Sequence, residues 1–418
     1  MKVLWLISVT LPQVGQALGL AGQHGGGWIL GQLNELRTQA ELTVCTVNSK
    51  VSEPTALRLE GVDYRLLPKG TEEEFARLLE EVKPDLVHIW GSEYPPAAAL
   101  FSQCDPDRVL LSIQGLMGPC ADHLLDGVPK AYCSSCFVQR MIDRVVPGGL
   151  LDQQQAFFRG QAKTEAAMLA SLRHVTGRTL WDRRQLENLA PKARYYSCNE
   201  TLRPAFYEGQ WQSGPDAPIL FLSQGNYPLK GLHRLLQALP AVLKKHPDAK
   251  LVIAGWPPLE RGAMLRPVID WMFPYQRYTK SLIRRLDLQG AVVYTGPLDE
   301  DQIRQQYLNS SLYLLCSSIE NSPNSLGEAM LLGLPCVASR VGGVESMLTH
   351  GQEGLLYPAE DIQALSDAIL QMLDDPDFAR DCGQRARIRA LATHDPAANG
   401  RRMLEIYREI LSSPLQNT

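Results

Sequence analysis

At 418 residues the chain exceeds the size at which a single core stops growing, which points to about two domains. An apolar fraction of 45%, a charged fraction of 21% and a net charge of −4 are those of an ordinary globular chain. They give no global electrostatic case for nucleic acid or an anionic membrane, and no apolar run approaches the ~20 residues needed to span a bilayer.

The opening MKVLWLISVT reads as a first strand rather than a signal peptide. Further apolar runs at Leu42–Val47, Leu86–Trp90 and Val109–Ile113 alternate with helical patterns. That alternation predicts right-handed βαβ units and a parallel sheet covered on both faces. Between the first two runs, Gly25-Gly26-Gly27 opens a helix with Ile29, Leu33 and Leu36 at helical spacing. The triplet admits two readings, a close backbone approach to an anion at a helix start and an ordinary turn. The first is adopted here. Nine cysteines, several in apparent strands (Cys45, Cys198, Cys316, Cys336), suit a reducing compartment, by default the cytoplasm.

Residues 115–165 break the alternation. They contain Cys120-x-x-His123 and Cys133-x-x-Cys136, an order that resembles a zinc site, but the short spacer between the pairs matches no known zinc framework. The reading adopted is a helix-containing insertion that shapes an acceptor pocket, with no metal. Strand patterns resume with HVTGRTLWDRRQL and YYSCN; Arg178 and Asp182, four apart, read either as an ion pair on one helical turn or as cleft residues. The Pro- and Gly-rich stretch from Asn199 to Pro218 has linker composition and marks the domain boundary.

A second α/β unit follows, with strands at Ile219–Ser223, Leu251–Ala254, Ala291–Thr295, Leu312–Cys316, Cys336–Ser339 and Leu355–Tyr357. After Leu312–Cys316 the chain turns and enters a helix near Ser325. Pro323 prevents a continuous helix, so Glu320 lies in the loop and Glu328 in the first helical turn. Ser325-x-x-Glu328 also fits a capping box, in which Glu328 binds only its own helix start. Lys230, followed by Gly231 and a helix, is placed to neutralise a phosphate as a point charge. The loop Arg340–Glu345 follows a third strand, so three loops converge at one crevice.

Glu320-NSPNSLG-Glu328 looks like the E-x7-E motif of the retaining family 4 glycosyltransferases. The family's other features recur in order: Lys230-Gly231, YTGPLDEDQIRQQY from Tyr294, GLPCVASRVGGVES and HGQEGLLYP. The resemblance covers residues 219–373 and is weaker before them. It implies an α/β chain with two Rossmann-like domains facing a central cleft (the GT-B fold). Domains are expected at 1–200, carrying the insertion at about 115–165, and at 201–395, with residues 396–418 as a helix crossing back to the first domain.

The resemblance further implies a nucleotide-diphosphate sugar, UDP- or GDP-linked, as donor substrate, with no permanently bound cofactor and no metal. Glu328 would bind the ribose hydroxyls and Glu320 the donor sugar. Lys230, Asn324, Ser325 and Leu326 would hold the diphosphate, with Gly26 or Gly27 approaching from the first domain. The acceptor would be a saccharide or lipid-linked hydroxyl, which allows peripheral contact at the inner face of a membrane. Two positions depart from the pattern. The basic residue that often precedes the lysine is missing, leaving Asn226 or Arg178 as replacements. Gln114 stands where many members have a histidine, with His88 read either as a second candidate for that role or as a structural histidine. A nucleotide-sugar epimerase of the same fold and a non-catalytic nucleotide-sugar-binding protein are the alternatives.

Overall fold

A computed structural model describes residues 1–20, 26–143, 149–257 and 272–413, so Gly25 of the glycine triplet lies outside the described residues. The chain divides into two compact units. The first comprises Met1–Met117, Gly160–Pro204 and Ala392–Thr418; the second comprises Gly118–Arg159 and Ala205–Leu391.

The first unit holds an eight-stranded sheet: β1 (Lys2–Ile7), β2 (Glu41–Val47), β3 (Thr55–Leu59), β4 (Val62–Leu67), β5 (Leu86–Trp90), β6 (Val109–Ser112), β7 (His174–Gly177) and β8 (Arg194–Ser197). The spatial order is β3-β4-β2-β1-β5-β6-β7-β8, and every pairing is parallel except β3 with β4. That antiparallel pair was not anticipated. Its turn is Glu60-Gly61, both with positive φ (50° and 83°), a two-residue hairpin without the Asn-Gly or Asp-Gly pair that usually announces one. Strand β1 is buried from Val3 to Ile7 because both sheet faces are covered. Val3, Trp5 and Ile7 pack with Ile29, Leu33 and Leu36, whereas Leu4 and Leu6 pack on the opposite side with Phe75 and Leu100.

The second unit holds six strands: β9 (Ile219–Leu222), β10 (Lys250–Ile253), β11 (Val292–Tyr294), β12 (Leu312–Leu315), β13 (Cys336–Ser339) and β14 (Leu355–Tyr357). Their order is β11-β10-β9-β12-β13-β14, with all pairings parallel. Strand order reverses between β9 and β12 here, and between β1 and β5 in the first unit. Ligands of open α/β sheets bind outside the carboxyl ends of strands at such reversals.

The helices used below are α1 (Gly27–Leu36), α2 (Met117–His123), α3 (Lys130–Cys133), α4 (Leu180–Leu189), α5 (Leu232–Lys245), α6 (Pro274–Arg285), α7 (Asn324–Leu332) and α8 (Pro396–Ser412). Helix α8, begun by an Asp395 cap that accepts from the Ala398 amide at 2.6 Å, lies in the first unit. Its Met403, Leu404, Ile406, Tyr407 and Ile410 enter the same core as Trp5.

Two sequence expectations change here. Most of the stretch expected as an insertion in the first domain, Gly118–Arg159, falls in the second unit. His88 is a core residue and not a cleft residue. It is fully buried, with Nδ1 2.6 Å from the Tyr407 hydroxyl and Nε2 2.7 Å from Ser112 Oγ. Burial holds its imidazole well below the ordinary histidine range, which suits a neutral ring bridging two hydroxyls.

Candidate active site

In the second unit, the loops after β9 and β12 flank the strand-order reversal and bring Lys230 to Glu320. Lys230 Nζ donates to Glu320 Oε1 at 2.6 Å, and Ser317 Oγ donates to the same oxygen at 2.6 Å. The two side chains are 20% and 12% exposed, so the pair is largely shielded yet reachable. Burial alone would lower the Lys230 ammonium, but the Glu320 carboxylate and Tyr227 outweigh it and raise it above the ordinary lysine range. The lysine therefore remains a fixed positive charge.

Backbone geometry builds this meeting point. Gly231 follows Lys230 in the left-handed region (φ 67°), and a Cβ there would stand 1.8 Å from the Cys316 carbonyl oxygen. Only glycine lets the β9 loop lie this close to the end of β12. Gly342 (φ 50°) does the same from the third loop, where a Cβ would stand 1.9 Å from the Glu320 carbonyl oxygen. That oxygen accepts from the Gly343 amide at 3.0 Å, and the Ser318 amide donates to the Leu229 carbonyl at 2.8 Å. Arg234, 3% exposed, donates from Nη1 to Ser318 Oγ at 2.7 Å. The three loops brace one another through backbone contacts.

Helix α7 starts beside them. Its N-cap is Pro323, with no side-chain cap, and Ser325 is its second residue. The capping-box reading of Ser325 and Glu328 therefore does not hold. The Leu326 amide donates to the Pro323 carbonyl at 3.0 Å, so among the residues expected to hold a diphosphate its N–H is already engaged. Ser325 is held by two buried tyrosines: Tyr307 donates to its carbonyl at 3.0 Å, and Tyr313 donates to its Oγ at 2.8 Å. Ser223 Oγ lies 3.2 Å from the Tyr313 hydroxyl. With Oγ already accepting from Tyr313, the Ser325 hydroxyl proton is left to point elsewhere, toward an acceptor such as a phosphate oxygen. Glu328 is 4% exposed, Asn324 is half-buried and Asn226 is exposed in the β9 loop.

In the first unit the structure joins Gln114 and Arg178 through Glu200, a residue the sequence did not single out. Arg178 Nη1 donates to Glu200 Oε2 at 2.5 Å, Gln114 Nε2 donates to Glu200 Oε1, and Arg178 Nη2 lies 3.5 Å from Gln114 Oε1. Burial raises the Glu200 carboxyl despite the opposing Arg178 and Gln114. Asp182 caps α4, accepting from the Arg178 and Thr179 amides at 2.9 and 3.2 Å, while Tyr195 donates to its other oxygen at 2.8 Å. Gly26 is the left-handed N-cap of α1, with Gly27 as the first helical residue.

Two of the four residues with zinc-like spacing are held by protein partners. His123 Nδ1 lies 2.7 Å from Asp126 Oδ2, Cys133 Sγ lies 3.5 Å from the carbonyls of Val128 and Pro129, and Cys136 is exposed. Among the described residues, no group of three or more His, Cys, Asp or Glu side chains is arranged to hold a metal ion.

Tyr313, Ser317 and Ser223 escaped the sequence reading because they sit inside or beside apolar strands. A buried tyrosine must place its hydroxyl on a partner, which is the signal that could have found Tyr313.

Residues 208–389 match the family of glycosyl transferases group 1. The D-inositol 3-phosphate glycosyltransferase of Corynebacterium urealyticum is 28% identical over 188 residues, 44% of this chain and 42% of that protein. The chain spans less than half the length of the curated relatives it matches first. Among solved structures, sucrose-phosphate synthase from Thermosynechococcus elongatus superposes with a TM-score of 0.73 at 17% identity, covering 99% of this chain and 100% of that one. HepE of Anabaena, in complex with UDP-glucose, gives 0.63 at 16% identity, covering 98% and 100%. These likenesses establish the fold. Residues 208–389 are thus similar to the group 1 glycosyl transferases, and the two sheet units are those of the GT-B glycosyltransferase fold.

Proposed function

We propose that the chain is a retaining, metal-independent glycosyltransferase that moves a sugar from a nucleotide-diphosphate sugar to a hydroxyl of a saccharide or lipid-linked acceptor. The observation that carries this reading is the Lys230–Glu320 pair at a strand-order reversal, beside the uncapped start of α7. Breaking a glycosidic bond to a diphosphate builds negative charge on the leaving group and positive charge at the anomeric carbon. Lys230 and the first turn of α7 supply fixed positive potential for the former. Glu320 offers carboxylate oxygens to donor-sugar hydroxyls, and Glu328 offers its own to the ribose. The acceptor oxygen bonds to the anomeric carbon as the bond to the β-phosphate oxygen breaks, and the acceptor proton passes to that departing oxygen.

The name of the HepE complex states UDP-glucose as its ligand, which makes UDP-sugars the first donors to try, with GDP-sugars next. The cytoplasm is the proposed place of action, in keeping with nine free cysteines. Among the described residues no helix is long and apolar enough to cross a membrane. A panel of UDP- and GDP-sugars, assayed for nucleotide release and for the anomeric configuration of the product, tests the proposal. Transfer with retention is the expected result. Nucleotide binding without turnover for any donor and acceptor would leave a binding protein, and a 2-epimerised free sugar would mark an epimerase.

A further inference from the structure

We propose that residues 118–133 form a wall of the donor site in the second unit, rather than shaping an acceptor pocket. The inference rests on the reading of Lys230 and Glu320 as donor ligands.

These residues leave the first unit after β6, yet they are built into the second. Val128 belongs to that unit's main apolar core, with Leu125, Tyr132 and Cys133 packed against it. Tyr132 stacks on Tyr278 of α6 with ring centroids 5.0 Å apart, and Arg277 lies 5.0 Å from the Tyr132 ring on its own account. The Tyr132 hydroxyl also lies 3.4 Å from Ser281 Oγ.

The decisive contact is at His233, the second residue of α5. Its Nε2 lies 3.0 Å from the Asp126 carbonyl oxygen, and its Nδ1 lies 3.2 Å from the Tyr275 hydroxyl. Burial and the neighbouring Arg234 push its imidazole down to about 4, so the ring is neutral at pH 7. A carbonyl can only accept, so Nε2 carries the proton and Nδ1 accepts from Tyr275. Gly127 presses on this ring closely enough that a Cβ there would stand 2.6 Å from Nε2.

His233 is followed by Arg234, which grips Ser318 in the loop of Glu320, and preceded by the Lys230-Gly231 turn. The first turn of α5 is therefore a junction. One residue anchors the 126–128 loop, the next anchors the Glu320 loop, and Lys230 hangs from its start. Burial raises the Tyr227 hydroxyl, with Glu320 and then Cys120 adding to it against Lys230, and the Tyr227 ring centroid is 5.9 Å from Lys230 Nζ. Residues 118–133 are thus tied through His233 to the helix start that carries Lys230, with Cys120 acting on the Tyr227 beside it. A change of side-chain bulk along this wall would alter the room beside the pair.

The test uses the full chain with UDP, GDP and their glucose conjugates as probes. Calorimetry first establishes binding and its loss in Lys230→Ala. N-ethylmaleimide labelling followed by peptide mass mapping then reports Cys120. A bound nucleotide sugar is expected to slow its modification at least fivefold while leaving exposed Cys136 unchanged. His233→Leu is expected to weaken binding of the bound conjugate about tenfold. His233→Gln, whose amide can still donate to the Asp126 carbonyl, is expected to restore it. If a probe binds and Lys230→Ala abolishes binding, yet Cys120 is labelled at the same rate and a folded His233→Leu binds like the parent, the wall is disproved and the donor site stands. If no probe binds, both fall.

Discussion

Lys230 and Glu320, ninety positions apart in the chain, meet at 2.6 Å with Ser317 sharing the same carboxylate oxygen. The proposed phosphate-binding cation is thus paired with the proposed sugar-binding anion. On the proposed reading a donor would enter by sharing both groups, its phosphate drawing on the ammonium while its hydroxyls engage the carboxylate.

Removing one member leaves the other charge largely shielded and unmatched. Lys230→Met and Glu320→Leu should each lower unfolding free energy by about 2 kcal/mol, a fully buried pair's cost discounted for partial exposure. The double variant should regain most of that stability in urea titrations while remaining unable to bind a nucleotide sugar. Additive losses in the double variant would show that the pair contributes nothing in solution.

Glu328, 4% exposed in the first turns of α7, is read as a ribose ligand and not as an acid or base. Glu328→Gln preserves shape and hydrogen-bonding capacity but removes the charge. It should weaken donor affinity about tenfold, roughly the value of a charge-assisted hydrogen bond. Turnover at saturating donor should change far less. A selective loss of turnover would assign Glu328 to the chemical step instead.

Arg178 is engaged with Glu200 at 2.5 Å, and both side chains are nearly inaccessible (5% and 6%). Arg178→Ala should therefore act on stability, costing about 3 kcal/mol by stranding a buried carboxylate. UDP affinity measured on the folded fraction should stay within about threefold of the parent, a change of under 1 kcal/mol. A much larger fall in affinity would make Arg178 the replacement for the missing phosphate-binding cation.

His233 and His394 both lie near 4, lowered first by burial; Arg234 and Arg178 add to it respectively. Their unfolded values are near 6.5, so between the two values the unfolded chain binds protons that the folded chain refuses. The associated stability is complete above about pH 6.5 and is lost as pH falls toward 4, on the order of 3 kcal/mol per histidine. Glu93, pushed up to about 7 chiefly by burial, acts in the opposite sense, its effect growing as pH rises from about 4.5 to 7. His394 Nδ1 lies 2.8 Å from the Glu200 carbonyl, a bond that Asn can reproduce. His394→Asn should flatten the fall in urea midpoint between pH 6.5 and 4.5, and an unchanged slope would contradict the assignment.

Much of the fold could be read from the chain because buried parallel strands leave continuous apolar runs. Val3–Ile7, Leu86–Trp90 and Leu312–Cys316 coincide with observed strands within a residue or two. The β3–β4 hairpin could not, since Thr55–Leu59 is only half-buried and its Glu60-Gly61 turn lacks the usual residues. The placement of 118–133 was equally hidden. It depends on His233 and Tyr132 finding partners more than a hundred residues away, and no local pattern encodes that. At the site, Glu320 and Lys230 announced themselves as charges beside Pro and Gly, whereas Tyr313 and Glu200 act through partners known only in three dimensions.

The start of α7 has a last consequence. Thr71, Thr179, Asp299, Asp361 and Asp395 each cap their helices through a side chain, whereas α1, α3, α5, α6 and α7 begin at Gly26, Pro129, Gly231, Phe273 and Pro323 without one. A missing cap typically costs a helix about 1 kcal/mol. At α7 an incoming diphosphate would perform the service that a serine or aspartate performs elsewhere in the chain. On that reading a bound diphosphate would complete the helix start.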